Sequence, residues 1–484
     1  MKKTLSVISA VLAFLLIISP IILLLGTTVF LPSQFSNTFV GALDDKYERL
    51  SSIEEPKVVV IGGSSVAFGL DSEKMEELLD MPVVNFGLYA AIGTKAMVDL
   101  SRDQIKSGDV VVLAPELDPQ TLSLYFSSKN TLEAIDSDYS LAFKFDIDTM
   151  FSLFGGLWQH GVDKLQFALG ETPDPTGVYN AKNFNAYGDI VWDRPENVMQ
   201  FFYDPNTPIT LSPDIVDPEF IDYINEYRAY CKSVGAKVYF SWCPMNAQAV
   251  TNPDEAYDFA DYMQSVINCD FISDIGSYII EENYFYDTNY HLNDVGVLLR
   301  TKQLVEDIYI MNGNFVAVDI EVPEKPALPE ADVKFFGTDE NDKYFVYEEM
   351  SNGAYKIVGL SELGKEQTKL TIPLGAEYKK VTAIDRGAFA GGVVKEVVIT
   401  ADTNVRNLIE GIMDGSTVTD MWIYYVFDDT KDPNSTLKPP GNFGGNLRIH
   451  IPAYSIYLTH YDWADSSKGY VFVQDIPAVT NPEE

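Results

Sequence analysis

Between Pro56 and about Gly313, short apolar runs alternate with longer segments whose apolar residues recur at helical spacing. The first run, Val58–Ile61, is rich in β-branched residues and stops at Gly62-Gly63, as a strand buried on both faces does. Strands separated by helices predict a parallel sheet with helices on both of its faces. Further strands are predicted at 82–86, 109–114, 236–242 and 270–273, and helices at 72–79, 93–107, 218–234, 254–267 and 295–309.

A long polar and aromatic insertion, residues 118–214, interrupts this alternation and has no clear periodicity. Aromatic side chains in such a segment are compatible with a sugar-binding groove and equally with ordinary core. The aromatics concerned are Tyr125, Phe126, Trp158, Phe184, Tyr187 and Trp192.

An uncharged apolar run, about Leu5 to Phe30, follows Lys2 and Lys3 at the start of the chain. It exceeds the ~20 residues that a membrane-spanning helix needs. Because no small-residue cleavage site follows the run, residues 1–32 are predicted to be an uncleaved transmembrane signal anchor in preference to a cleaved signal peptide. The two lysines should stay in the cytoplasm, which places the rest of the chain outside the cell membrane. Residues 33–55 are expected to form a stem.

The pattern changes again after Gly313. Residues 314–333 are rich in proline and acidic residues, which predicts an extended linker. From residue 334 to 484, short β-like runs are separated by turn residues, and helical periodicity is sparse. This texture predicts a second, smaller, β-rich domain with strands near 344–348, 369–372, 395–399, 446–451 and 470–473.

Composition narrows the classes of partner. The chain has 484 residues and a formal net charge of −37, enough length for two or three domains. The acidic balance excludes nucleic acid as a favoured partner, because phosphate neutralisation requires Lys and Arg. The three cysteines, Cys231, Cys243 and Cys269, lack CxxC spacing, so a cysteine-type zinc site is not expected. One disulfide or buried free thiols remain open.

The candidate nucleophile is Ser64, which follows the first strand on a tight turn before a helix. Ligands of open α/β sheets bind at the carboxyl ends of the strands, where a serine hydroxyl and nearby backbone amides meet the substrate. The alternative is that Ser64 and Ser65 only cap the following helix.

The candidate base is His291, because Asp287 precedes it by four residues on the same loop. A carboxylate beside a histidine orients the imidazole and stabilises its charged form. The alternative is a surface histidine close to a helix capped by Asn293. The other histidines are His160, in the insertion, and His450 and His460, in the β-rich part.

Four blocks of the α/β part resemble the SGNH (GDSL-like) hydrolase superfamily, in its membrane-anchored, cell-surface branch. The resemblance implies a flavodoxin-like three-layer sandwich with a parallel sheet. It also implies that Ser64 is the nucleophile, that the backbone amides of Ser64 and Gly87 bind the oxyanion, and that Asp287 and His291 complete the triad. The blocks are IGGSSVAFGLD at 61–71, VVNFGL at 83–88, KSGDVVVLAPE at 106–116 and YDTNYHLNDVG at 286–296.

The chain departs from this family pattern in three places. Gly63 stands where the first block usually has Asp, and Asp287 precedes His291 by four residues instead of three. The third block ends in Ala114-Pro115-Glu116 and lacks the Asn that helps to bind the oxyanion. Asn85 or Asn246 are the candidate substitutes, and a Ser–His dyad stays open. Loss of one donor costs roughly 10²–10³-fold in rate.

The resemblance implies an extracytoplasmic serine esterase or O-acyltransferase that needs neither a metal nor an organic cofactor. Its expected partners are acylated, most simply acetylated, cell-wall or capsule polysaccharides. The alternative function is a catalytically weak surface protein that uses the α/β domain as a scaffold for binding or adhesion.

The C-terminal part resembles the leucine-rich repeats of the BspA type. The residues that carry the resemblance are TIP at 371–373, VTAI at 381–384, GAF at 387–389 and VKEVVI at 394–399, with a second, degraded unit at 407–415. The resemblance implies a short array that binds a surface protein or glycan, or acts as a spacer, without chemistry of its own.

Overall fold

A computed structural model of the chain describes residues 28–476 together with Ser19, Ile22 and Gly26. The gaps within that range are 171, 176, 200–202, 204, 251, 329–332, 336, 338, 428–434, 445–446, 454, 459–462 and 464–468.

The first part of the chain alternates strands and helices, as the apolar pattern predicts. Its strands are β1 (Val58–Gly62), β2 (Val83–Gly87), β3 (Val110–Leu113), β4 (Lys237–Phe240), β5 (Met245–Asn246), β6 (Asp270–Phe271) and β7 (Ile279–Ile280). Its α-helices are α1 (Leu43–Ser52), α2 (Ser64–Ala67), α3 (Ser72–Leu79), α4 (Thr94–Arg102), α5 (Ser128–Ala134), α6 (Ile147–Leu169), α7 (Pro218–Val234), α8 (Pro253–Val266) and α9 (Asp294–Met311).

Five of these strands form one parallel sheet in the order β2-β1-β3-β4-β6. In register, Val60 pairs with Asn85 on one side and Val112 on the other. The chain order of the strands across the sheet is therefore 2-1-3-4-5, and the topological switch point lies between β1 and β3. The carboxyl ends of β1 and β3 thus flank the crevice where ligands bind in such sheets.

Alternate residues of each central strand enter two separate cores. Val59 and Ile61 belong to a large apolar cluster with residues of α1, α4, α7 and α8. Val58 and Val60 belong to a second cluster with residues of α3 and α9. The sheet is therefore covered on both faces, and the architecture is three-layered.

Local signals account for the helix boundaries. Helix α7 begins at Pro218 after an Asp217 cap and ends before Gly235, whose φ is +88°. Its bounds and those of α3 match the sequence prediction. Helix α4 ends at Arg102, earlier than predicted, and the residues before β3 include a turn in which the Asp109 carboxylate accepts a hydrogen bond from the Lys106 amide.

Residues 33–55 differ from the predicted stem. Phe39, Leu43 and Leu50 are buried in the large core cluster, and Lys46 of α1 donates to the carbonyl oxygens of Asn85 and Gly188. This segment is part of the α/β unit because its apolar residues recur at helical spacing.

The predicted membrane anchor, residues 1–32, lies largely outside the described residues. Among the residues that the structure does describe, none forms a helix both long enough and apolar enough to span a membrane.

The insertion contributes helices α5 and α6, which contact each other. At the contact, Gly156 of α6 approaches Ser128 and Leu132 so closely that a Cβ there would lie 3.0 Å from Ser128 Cβ. The later part of the insertion, residues 177–199, runs back over the carboxyl end of the sheet, where Tyr187 carbonyl oxygen accepts from the Asn85 amide.

The C-terminal part has its own core, formed by residues between Phe345 and Tyr470. Parallel strands follow one another in chain order, and the register pairs Lys369 with Glu396, Glu396 with Asp420, and Asp420 with Arg448. The paired residues are therefore 24–28 positions apart along the chain, as in a coiled repeat. The strands are β8 (Phe345–Glu349), β9 (Tyr355–Leu360), β10 (Lys369–Thr371), β11 (Gly375–Ala376), β12 (Lys379–Ile384), β13 (Glu396–Ile399), β14 (Asn407–Leu408), β15 (Asp420–Ile423), β16 (Leu447–Pro452) and β17 (Tyr470–Ile476), with the short helix α10 (Glu362–Lys365).

All three cysteines are buried free thiols. Burial raises the pKa of Cys231 to about 11 and that of Cys269 to about 12. These thiols are therefore protonated core residues at neutral pH.

Candidate active site

Ser64 is the first residue of the one-turn helix α2, at the carboxyl end of β1. Its amide has no acceptor inside the helix, because the first amides of a helix lack intrahelical partners. The side chain of Ser64 is half-buried, whereas Ser65 is fully buried. The turn therefore presents the hydroxyl of Ser64, and not that of Ser65, to the crevice.

His291 and Asp287 come from a tight loop before α9. Phe285 and Leu292 form an isolated antiparallel bridge across this loop, and the Tyr286 amide donates to the His291 carbonyl oxygen at 2.8 Å. The loop doubles back, so two side chains four residues apart face each other. This closure brings a carboxylate and an imidazole together at a spacing of four residues.

The structure brings the three predicted residues together. Ser64 Oγ lies 2.8 Å from His291 Nε2, and His291 Nδ1 lies 2.7 Å from Asp287 Oδ1. A carboxylate only accepts hydrogen bonds, so Nδ1 carries the proton and Nε2 is free to accept the hydroxyl proton of Ser64. This is the arrangement of a serine nucleophile, its base and the group that orients the base.

Aromatic packing holds the imidazole in place. The Phe68 ring is stacked on His291 with centroids 4.0 Å apart and an angle of 2° between the planes. The guanidinium of Arg194 lies over the Phe68 ring, 5.1 Å from its centroid. Phe68 is fully buried, so the ring cannot turn away, and the orientation of His291 is fixed before substrate binds.

Asp287 is buried, with both carboxylate oxygens occupied. Tyr179 of the insertion donates its hydroxyl to Asp287 Oδ2 at 2.5 Å. Burial would raise the pKa of Asp287, but His291, Lys438 and the hydrogen bonds outweigh it and lower the pKa to about 2. The carboxylate is therefore ionised at neutral pH, as an orienting group must be. Lys438 belongs to the C-terminal part, which thus contributes to the electrostatics of the site.

Glu116 lies three residues after β3, and its side chain contacts the turn that carries Ser64. Its Oε1 accepts from the Ser65 amide at 2.7 Å. Its carboxylate also fills the space beside Gly63, where an added Cβ would lie 2.3 Å from Oε2. Glu116 thus occupies the room that a side chain at position 63 would take, which explains why the first block has glycine there. Burial raises the pKa of Glu116, and its Oε2 is buried without a hydrogen-bond partner among the described residues.

The two predicted oxyanion donors, the backbone amides of Ser64 and Gly87, are not equally available to a substrate. Gly87 does lie against the nucleophile turn, since a Cβ there would meet Gly63 O at 2.8 Å. Its amide, however, donates to Asn85 Oδ1 at 3.1 Å. The Gly87 amide thus has an acceptor within its own strand, whereas the Ser64 amide has no acceptor within its own helix.

Neither candidate substitute for the third-block Asn serves as a donor at Ser64. Asn85 Nδ2 donates to Val66 O and Asp189 Oδ1, and Asn246 Nδ2 donates to Asn289 Oδ1. Both N–H groups of the Asn85 side chain are thus engaged, and the hydrogen bond of Asn246 is to Asn289 and not to Ser64.

The other described histidines lie in different environments. His160 is buried in α6 beside Asp136, and His450 lies between Asp420 and Asp475. His460 is outside the described residues. Over the part of the chain that the structure describes, no group of three or more His, Cys, Asp or Glu side chains is arranged to hold a metal ion.

The predicted groove aromatics are mostly packed. Phe126, Phe184 and Trp192 pack against the large core cluster, and the Arg49 guanidinium lies 4.3 Å from the Tyr187 ring centroid. Tyr125 and Trp158 are the two that are exposed. Their exposure does not by itself form a groove at Ser64.

Sequence reasoning missed Tyr179, Phe68 and Glu116. Phe68 lies one helical turn after Ser64, so that spacing was an available signal. Tyr179 and Glu116 offered no such signal, because each forms its hydrogen bond at the site with a residue 51 or more positions away in the chain.

Comparison of the chain with protein-family models and with curated proteins gives no match, so the site is assigned by its geometry alone.

Proposed function

We propose that this chain is a serine esterase or O-acyltransferase of the SGNH type. The observation that carries the proposal is the chain of contacts from Ser64 Oγ to His291 Nε2 at 2.8 Å and from His291 Nδ1 to Asp287 Oδ1 at 2.7 Å. The 2-1-3-4-5 strand order and the position of Ser64 at the switch point support it.

The mechanism follows from these contacts. His291 Nε2 takes the Ser64 proton as Oγ attacks an ester carbonyl, and Asp287 stabilises the resulting imidazolium. The Ser64 amide binds the oxyanion. Collapse of the tetrahedral intermediate expels the alcohol, which takes its proton from His291. Water or a sugar hydroxyl then attacks the acyl-enzyme and gives its proton to His291. His291 returns that proton to Ser64 Oγ as the Oγ–acyl bond breaks, and the acid or the acylated sugar is released.

The substrate class follows from the sequence. We propose acyl esters, simplest as acetyl esters, of cell-surface polysaccharides, because the apolar run at residues 5–30 would anchor the chain in a membrane with its acidic bulk outside. We propose the C-terminal coiled repeat as a leucine-rich-repeat module of the BspA type that binds a surface glycan or protein. The rival function is a binding protein without turnover, which the engaged Gly87 amide favours.

The test uses the full chain and an activated acetyl ester, p-nitrophenyl acetate. Wild type should turn over, and Ser64→Ala and His291→Ala should reduce the rate by at least roughly 10³-fold. Ser65→Ala is the matched control, because the Ser65 side chain is fully buried next to the nucleophile and His291 Nε2 faces the hydroxyl of Ser64.

A fluorophosphonate probe separates the two functions. Labelling of wild type at Ser64, abolished by Ser64→Ala, would support the enzyme even if the natural acceptor is needed for turnover. Absence of both turnover and labelling in folded wild type would reject the enzyme in favour of the binding protein.

A further inference from the structure

Helix α6 exposes an apolar face along its whole length. Its 23 residues span about 35 Å, and one face exposes seven large apolar side chains three or four residues apart. Phe151 is 67 % exposed and Trp158 57 %. The exposed residues are Ile147, Phe151, Phe154, Trp158, Val162, Leu165 and Leu169, with Phe143 just before the helix. Below, they are called the α6 apolar face.

The opposite face of α6 is buried and mixed in character. Leu153 joins the large core cluster, whereas Lys164 Nζ lies 2.7 Å from Asp136 Oδ1 and His160 Nε2 lies 3.2 Å from the same oxygen. A surface helix of a globular protein normally has its large apolar side chains on the buried face. Helix α6 exposes a second, continuous apolar stripe as well, and such a stripe marks an interaction surface.

The N-terminal segment is joined to this helix. Lys164 Nζ donates to the Thr28 carbonyl oxygen at 2.9 Å. The Phe35 ring stacks on His160 at 5.4 Å and meets Phe167 edge-on at 5.6 Å. The end of the apolar run at residues 5–30 is therefore attached to α6, and Phe30 itself is exposed. If that run spans a membrane, α6 lies at the membrane surface.

We propose that the α6 apolar face inserts into the interfacial region of the lipid bilayer and so fixes the orientation of the α/β unit on the membrane. The geometry is that of an in-plane amphipathic helix with aromatic and aliphatic residues directed into the acyl boundary. The inference rests on the membrane anchoring proposed above and not on the serine chemistry.

The charge of α6 specifies the kind of lipid. Lys164 is its one lysine or arginine and is buried, while Asp148 and Asp163 are its acidic residues. Attraction to anionic headgroups cannot therefore drive insertion, and apolar burial must do so. Insertion should occur in neutral phosphatidylcholine bilayers and should not be strengthened by phosphatidylglycerol.

The experiment places a nitroxide spin label at Phe154→Cys in the full chain, reconstituted in phosphatidylcholine vesicles. The native thiols are buried. The matched control is Val471→Cys on β17, because Val471 is also exposed. The label at 154 should be relaxed by oxygen and protected from a water-soluble nickel chelate by at least roughly tenfold relative to the label at 471.

Three outcomes overturn the inference. In the first, the label at 154 is as accessible to the nickel chelate as the label at 471 while the chain stays with the vesicles. In the second, spin–spin broadening at 154 shows that a second copy of the chain covers the α6 apolar face. In the third, the chain does not associate with vesicles, which also rejects the proposed anchor. Fluorophosphonate labelling of Ser64 in the same vesicles is read separately, so failure of the serine chemistry is distinguishable.

Discussion

At the scale of single residues, the site depends on side chains that hold other side chains. The Phe68 ring stacks on the His291 imidazole, and the Asp287 carboxylate forms a hydrogen bond with its Nδ1. The Tyr179 hydroxyl in turn donates a hydrogen bond to Asp287. An imidazole held from two sides needs little reorganisation when it takes a proton. Its orientation is therefore set before substrate binds.

Asp287→Asn should lower kcat/KM for the acetyl ester by roughly 10³–10⁴-fold, because an amide donor facing Nδ1 favours the wrong imidazole tautomer. Tyr179→Phe, which keeps the carboxylate, should cost far less, about tenfold. Equal losses in the two variants would contradict the assignment of Asp287 as the orienting group.

Asp287→Asn should also change how the free energy of unfolding depends on pH. The pKa of Asp287 is about 2 in the folded chain against an ordinary 3.8, so the ionised carboxylate stabilises the fold above about pH 4, and this contribution is lost as the pH falls through about 2. The difference in free energy of unfolding between wild type and Asp287→Asn should shrink between about pH 5 and pH 2 in urea titrations. A difference that stays constant over this range would show that Asp287 is not held ionised by its partners.

At the scale of elements, the ends of β1 and β3 are coupled. The turn after β1 has glycine at 63 because the Glu116 side chain from β3 fills the space there and accepts the Ser65 amide.

This coupling predicts that substitutions of Gly63 and Glu116 have non-additive effects on the free energy of unfolding. Gly63→Ala should destabilise wild type by about 1–3 kcal/mol, because its Cβ would meet the buried carboxylate. In a Glu116→Ala background the same change should cost much less, since the space is vacated. Urea unfolding of the four variants measures the coupling, and additive free energies would show that the two side chains do not compete for this space.

At the scale of the whole molecule, the α/β and C-terminal units have separate cores, and the linker is anchored to the first. Val318 and Ile320 are buried in the same cluster as α9, and the Val318 amide donates to Glu306 at 3.2 Å. Lys325 pairs with Glu281 further along. The linker lacks helices and strands over 314–328, as predicted, but it packs on the surface of the α/β unit instead of spanning free solvent.

Ile320→Ala should therefore open the linker. Loss of a buried isoleucine costs about 2 kcal/mol or more, which should raise the rate of proteinase K cleavage within residues 314–328 by roughly 10- to 100-fold under native conditions. Val316→Ala, in the same segment but exposed, is the control and should cleave as wild type does. Identical rates for both variants would mean that Ile320 does not hold the linker.

Local pattern predicted the parallel sheet, the bounds of α3 and α7, and the residues Ser64, Asp287 and His291. These features depend on neighbours in sequence: β-branched runs, helix caps, a serine after a Gly-Gly turn, and a histidine four residues after an aspartate. Helix α6 has apolar residues three or four positions apart, which is a helical pattern, but the sequence prediction treated the whole of residues 118–214 as one irregular insertion and missed it.

The amino-acid sequence thus encodes the order of elements and the residues at the carboxyl edge of the sheet, because periodicity and caps act over a few residues. Packing between distant segments brings Glu116 beside Gly63 and the Tyr179 hydroxyl to Asp287. The hydrogen bond from the Gly87 amide to Asn85 Oδ1 is local, but the Asn85 side chain is held in place by its bonds to Val66 O and Asp189 Oδ1. These long-range contacts follow from the way the elements pack, which local periodicity does not encode.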